Sequence, residues 1–342
     1  MTFTTSRSRS RTPASRLIVA LSLCALVPAL VGTMGPRWLA ARRGRSIAYE
    51  MNWGGMSRLW IVHLPMGFDA SRPLPVIFMF HGFNGTAEWS WRLTGWSEKS
   101  DAENFIAVFP EGSRPFPLQP MNTMTNSPSW NDGSGRFSSC WDNVDDVGLT
   151  LAILKDVSAR YPVDGSRVYA VGFSNGASMV YRLGIEASEH FAALGIISAS
   201  GIRVPASPSA RPGSLLAMHG DADRVSPIGG GDVPQFGIID RRPEAIAAAR
   251  TWASLLGLPP LARQSEPGTG IRLWQFGPDQ AGSEVQFYQL SGGGHTYPRS
   301  RTLLSLGRSH HDQFDATDVL WEFFKSHPRQ TSNRAGVARP NE

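Results

Sequence analysis

The sequence predicts an α/β fold in which a mostly parallel central sheet carries helices on both faces. Near-continuous apolar runs recur at Leu74–Phe80, Ile106–Pro110, Val168–Val171, Ala193–Ser198 and Ser214–Met218, the pattern of strands covered on both sides. Helical stretches alternate with them at Val144–Leu154, Ala177–Ile185, Arg242–Leu256 and Asp315–Ser326. The chain has 342 residues, 41% hydrophobic and 18% charged, enough to bury one large core, and it shows no internal repeat.

Residues 1–33 read as a secretory signal, with an arginine-studded start, an apolar run over Leu17–Val31 and small residues after it. Pro28 interrupts that run, which is short against the roughly 20 residues a spanning helix needs. An uncleaved membrane anchor is the alternative, and Leu21–Cys24 resembles a lipoprotein box only loosely. Eight arginines precede the first acid, Glu50, so without them the formal charge of +5 becomes −3 over residues 46–342. The basicity thus belongs to the N-terminus, and the body carries no patch for nucleic acid. The expected protein is secreted, monomeric and not stably inserted in a membrane once the signal is cleaved. Of its two cysteines, Cys24 lies in the leader and Cys140 is left as a spare thiol without a disulfide.

Residues 34–47 read as a linker, 48–328 as the folded domain and 329–342 as a flexible tail. Arg58–Leu64 suits an early edge strand with His63 packed in it. Leu74–Phe80 runs into His81-Gly82-Phe83-Asn84-Gly85, a turn able to supply a backbone N–H to an oxyanion, with Phe83 the candidate donor and His81 a shaper of the loop. Glu111–Asn143 is a long aperiodic loop, which in a compact domain is usually functional or disordered. Five of the eleven tryptophans fall between positions 89 and 141 and are able to stack on rings or to pack the loops. Trp130 and Tyr297 are the candidates for substrate contact. Asp145 or Asp146 is placed to cap the helix that follows.

The chemistry is read at Gly172-Phe-Ser-Asn-Gly176, between a strand and a helix. This G-x-S-x-G elbow forces its serine into a strained turn where flanking side chains would collide. Ser174 is the expected nucleophile, and the Asn175 N–H is the second oxyanion donor. A serine hydroxyl needs a base and an orienting acid. Asp223 follows the strand at 214–218, with Asp221 as competitor. His295 follows the strand Val285–Leu290 through three glycines, with His310 and His311 as the alternative. His190, His219 and His327 have no comparable setting. No HExxH or CxxC supports a metal and no GxGxxG a dinucleotide, so neither a metal nor a cofactor is expected.

Together, Gly172–Gly176, Val144-Asp-Asp-Val147, His219-Gly-Asp-Ala-Asp223, Gly292–Pro298 and Ala316–Phe324 resemble the esterase family of poly(3-hydroxybutyrate) depolymerases and feruloyl esterases. The resemblance runs from about residue 55 to 327 and implies an α/β-hydrolase fold with Ser174, Asp223 and His295 as triad. Many relatives carry cysteine pairs near the long loop, whereas Cys140 stands alone. The expected activity is hydrolysis of a carboxylic ester, which need not be monomeric, through an acyl-enzyme, as in polyhydroxybutyrate depolymerases. A feruloyl or acetylxylan esterase is the alternative within the class. An acyltransferase or a non-catalytic binding protein on the same fold are the alternatives outside it.

Overall fold

The computed structural model describes residues 44–205, 210–235, 238–299 and 314–329. The expected signal, most of the expected linker, His310, His311 and residues 330–342 lie outside these. The chain begins with an antiparallel pair, β1 (Arg45–Trp53) and β2 (Met56–Leu64). β3 (Leu74–Phe80) follows, then α1 (Ala87–Leu93), α2 (Trp96–Glu103) and β4 (Ile106–Pro110). After the long loop and its short α3 (Ser138–Trp141) come α4 (Asp146–Arg160), β5 (Val163–Phe173) and α5 (Asn175–Glu186). Next are β6 (Ala193–Ile197), β7 (Ser214–Gly220), the separate hairpin β8 (Gly231–Gln235) and β9 (Ile238–Arg242), and α6 (Ala245–Leu255). The remaining elements are β10 (Arg263–Gly268), β11 (Ile271–Phe276), β12 (Val285–Leu290) and α7 (Ala316–Ser326).

Ten strands form one sheet in the order β1-β2-β4-β3-β5-β6-β7-β12-β11-β10. Its centre, from β4 to β12, is parallel, and the outer strands on each side are antiparallel. Alternation along a strand divides the core between the two faces. On β3, Val76, Phe78 and Phe80 pack with residues of α4, α5 and α6, while Ile77 and Met79 pack with α1, α2 and α7. All seven residues of β3 are buried, which is why its sequence shows no polar alternation.

Three expectations need correcting. The Arg58–Leu64 segment is not an edge strand: β1, half exposed along its length, covers that side from Arg45, within the segment read as linker. Arg242 does not start a helix but ends β9, and the helix begins at Ala245 after Pro243 and Glu244. Arg329 does not belong to a free tail, because its backbone N–H and guanidinium donate to the carbonyls of Ser166, Ser188 and Phe191.

The two acids before α4 have separate roles. Asp145 caps the helix, its Oδ1 accepting from the Gly148 N–H at 2.8 Å. Asp146 is fully buried and accepts from Arg58 and from the Asn131 N–H, both at 2.7 Å, so it ties the long loop to β2. Burial pushes its pKa up against the pull of Arg58.

Candidate active site

The parallel strands β3, β5, β7 and β12 bring the loops at their C-terminal ends to one edge of the sheet, and these loops carry the predicted residues. At the end of β5, Ser174 has φ 55° and ψ −119°, a conformation an L-residue holds only at a cost of about 1–3 kcal/mol. Its N–H donates to Ile197 O, and its carbonyl accepts the first bonds of α5. A Cβ at Gly172 would lie 2.2 Å from Gly176 O, and one at Gly176 would lie 2.3 Å from Phe80 O, so neither glycine has room for a side chain.

Ser174 Oγ lies 2.8 Å from His295 Nε2, and His295 Nδ1 lies 2.7 Å from Asp223 Oδ2. A carboxylate only accepts, so Nδ1 carries the proton and the neutral ring presents Nε2 as an acceptor to the serine O–H. Asp223 Oδ1 accepts from the N–H groups of Val225 and Ser226 at 2.9 and 2.7 Å. Burial opposes its charge, but bonding from His219, His295 and Ser226 outweighs this and holds the carboxyl below the usual range. Asp221 is exposed and turned the other way. It accepts from the Gly292 N–H at 2.7 Å and from Gln289, bracing the loop that carries His295.

His219 has a setting that sequence reasoning did not credit. It is buried at the end of β7, its Nε2 2.6 Å from Ser226 O and 3.4 Å from Asp223 Oδ2. Its position just before the tight Gly220 turn was the available clue. The Asn175 side chain was missed as well. It exchanges two hydrogen bonds with the Trp130 backbone and donates to Asp132 at 2.9 Å, clamping the long loop beside the nucleophile.

Trp130 is not placed for substrate contact. It is fully buried, its indole N–H donating to His81 O at 2.9 Å and its ring packing on Phe80 and His81. Tyr297 is partly exposed, with its hydroxyl 2.9 Å from Thr317 Oγ1 and its ring edge-on to Phe173. Phe173 in turn lies against His295, the ring centroids 5.1 Å apart. The 81–85 turn sits directly beside the elbow, since a Cβ at Gly82 would be 3.2 Å from Ser174 Cβ.

His81 itself points inward. Its Nε2 accepts from the Gly112 N–H at 2.9 Å and its Nδ1 donates to Gly82 O at 2.8 Å, so the ring is held neutral with no site left for proton transfer to a substrate. Burial pushes its pKa down to about 4. An unfolded histidine titrates near 6.5, so between about 6.5 and 4 the unfolded chain takes up a proton that the folded one refuses. That group's stability contribution is present above this window and lost as pH falls, by up to about 3 kcal/mol. Urea unfolding at pH 7 and 4.5 should show a smaller loss in His81→Gln than in the unmodified protein. Equal losses would refute the assignment.

The cleft beside Ser174 has a volume of about 160 Å³ and is walled by Phe83, Phe137, Ala199 and Val225 together with three arginines and several serines. A larger hollow of about 530 Å³ lies at the opposite strand ends, by Phe191, Gly213 and Arg329, away from the serine. Among the described residues no cluster of three or more His, Cys, Asp or Glu is arranged to hold a metal, and no helix is long and apolar enough to cross a membrane.

The family model for esterase PHB depolymerases matches residues 59–223, from β2 through the elbow to Asp223. This match and the relatives below support an esterase family of poly(3-hydroxybutyrate) depolymerase and feruloyl esterase type. Feruloyl esterase B of Piromyces equi is 25% identical over 69% of this chain, and the match spans 42% of that protein's length. The putative esterase NocK of Nocardia uniformis subsp. tsuyamanensis is 27% identical over 73% of this chain and 74% of its own. Among solved structures, the acetyl xylan esterase from Aspergillus awamori superposes with TM-score 0.54 at 14% identity, covering 81% of this chain and 99% of that one. At such identity the likeness concerns the fold, which is that of the α/β-hydrolases. The family match ends at Asp223 and so includes the serine and the acid; His295 lies beyond the matched residues and is brought to Ser174 by the fold.

Proposed function

We propose that this protein is a secreted serine esterase of the polyhydroxybutyrate depolymerase-like kind that hydrolyses carboxylic esters through an acyl-enzyme on Ser174. The observation that carries the reading is the unbroken hydrogen-bond chain from Ser174 through His295 to Asp223, at 2.8 and 2.7 Å. Ser174 Oγ attacks the acyl carbon as His295 Nε2 takes its proton. The N–H groups of Asn175 and Phe83 receive the carbonyl oxygen as it becomes negative, and Asp223 stabilises the imidazolium. His295 returns the proton to the departing alcohol, and water then releases the acid by the same steps.

Secretion rests on the leader-like composition of residues 1–33. Because relatives named feruloyl esterase and acetylxylan esterase/xylanase are similar in sequence to this chain, esters on plant polysaccharide are the second substrate reading. The test is a fluorophosphonate probe with peptide mapping, run beside turnover of p-nitrophenyl butyrate. The expected result is hydrolysis that the probe blocks, with the adduct on Ser174. Absence of turnover, or turnover that survives without an adduct on Ser174, would reject the proposal.

A further inference from the structure

The walls of the cleft beside Ser174 hold three arginines, Arg136, Arg203 and Arg242, and, among the described residues, no acidic one. Two carboxylates stand behind them. Asp240 accepts from Arg242 Nε at 2.6 Å, from Arg136 at 3.3 Å and from Arg203 at 3.3 Å. Asp132 accepts from Arg136 at 2.9 Å but is also engaged by Asn175. The third nearby carboxylate, Asp223, is occupied by His295 and two backbone N–H groups. Three guanidinium groups therefore share two carboxylates.

Arg203 is the least satisfied of the three. Its Nε is buried without a hydrogen-bond partner, and its Nη contacts to Asp240 are long, at 3.3 and 3.5 Å, on a carboxylate already held by Arg242. Burying a charge without full pairing is expensive, so a cation held this way beside a reactive serine calls for an external anion. Arginine is also the side chain suited to two-point binding of a carboxylate.

Resting on the esterase reading above, we propose that the substrates are short esters carrying a free carboxylate, which Arg203, backed by Arg136 and Arg242, binds in this cleft. At about 160 Å³ the cleft is smaller than the roughly 300–1,000 Å³ of pockets that take drug-sized ligands, which suits a short acid better than a long apolar chain. Burial, aided by the neighbouring Arg136 and Arg242, lowers the pKa of Arg203 against the pull of Asp240, and a bound anion would relieve that repulsion. In the reaction Ser174 Oγ displaces the alcohol from the acyl carbon, the alcohol leaves with the proton from His295, and one water restores the serine and releases the acid.

The test compares each anionic ester with a neutral ester of the same shape by pH-stat. Monomethyl succinate against methyl pentanoate places the carboxylate on the acyl side, and 3-acetoxypropanoate against butyl acetate places it on the alcohol side. A preference of about tenfold in kcat/KM is expected in one arm, falling toward one in Arg203→Gln, as for loss of one charged hydrogen bond. Absence of preference in both arms, or a preference that Arg203→Gln leaves intact, would overturn the proposal. Succinate binding to Ser174→Ala by calorimetry tests the same cleft without turnover and with Arg203 in place. Binding there would uphold the carboxylate site even if no ester were hydrolysed, and absence of binding would count against it even in an active esterase.

Discussion

Replacing Ser174 by alanine is expected to lower kcat on short esters by about 10⁵- to 10⁶-fold while leaving the fold and its thermal midpoint nearly unchanged. The hydroxyl is the atom that would form the acyl bond, and its hydrogen bond is to His295 at the rim of the cleft, so nothing in the core depends on it. Alanine keeps the same strained backbone with a similarly small side chain, which leaves the elbow's packing against Gly172 and Gly176 intact. The backbone N–H groups of Asn175 and Phe83 remain, so a residual rate some 10³-fold above that in water would still be consistent. The measurement is single-substrate kinetics beside circular dichroism melting. Activity within tenfold of the unmodified enzyme, in a preparation free of contaminating esterase, would show that another residue is the nucleophile.

Asp223→Asn should lower kcat by about 10⁴-fold. The Asn carbonyl oxygen would take the place of Oδ1, which accepts from the Val225 and Ser226 N–H groups, leaving its NH₂ facing His295 Nδ1. That NH₂ donates, so Nδ1 must become the acceptor and the ring proton moves to Nε2, pointing at Ser174. The histidine then has no lone pair with which to take the serine's proton. Asp221→Asn is the control. It changes the same charge two residues away, at an exposed carboxylate that braces the Gly292 turn, and should cost far less. Similar losses in the two variants would mean that the effect comes from general disturbance of these loops and not from the tautomer of His295.

How much of this was legible in the sequence depended on burial. Leu74–Phe80 and Ile106–Pro110 stand in the structure as strands with the bounds their apolar runs indicated, because a strand covered on both faces has to be apolar at every position. β1 and β10 escaped notice because they lie at the two edges, half or fully exposed, where polar residues are tolerated. The 111–143 loop looked aperiodic because its order comes from side chains reaching across the fold. Asp146 on Arg58 and Asn175 on Trp130 are 88 and 45 residues apart in the chain, and no local pattern encodes such pairs. Trp130 illustrates the same point, since an aromatic residue in a functional-looking loop reads alike whether it faces a ligand or, as here, fills the core.

The sequence by itself determined the sheet's central strands and the elbow that presents Ser174, because both are short-range consequences of residue type: continuous apolarity for buried strands, and glycine where a side chain would collide. Chain order and loop composition also narrowed the acid and the base to a few residues. Only the tertiary structure decided that Asp223 rather than Asp221 faces His295, that His219 backs that acid, and that Arg136, Arg203 and Arg242 converge on the cleft. These are questions of which way a side chain turns at the end of a strand, and of which distant loops share a wall. Distances of 2.7 and 2.8 Å between residues 72 and 121 positions apart are set by the packing of the whole sheet.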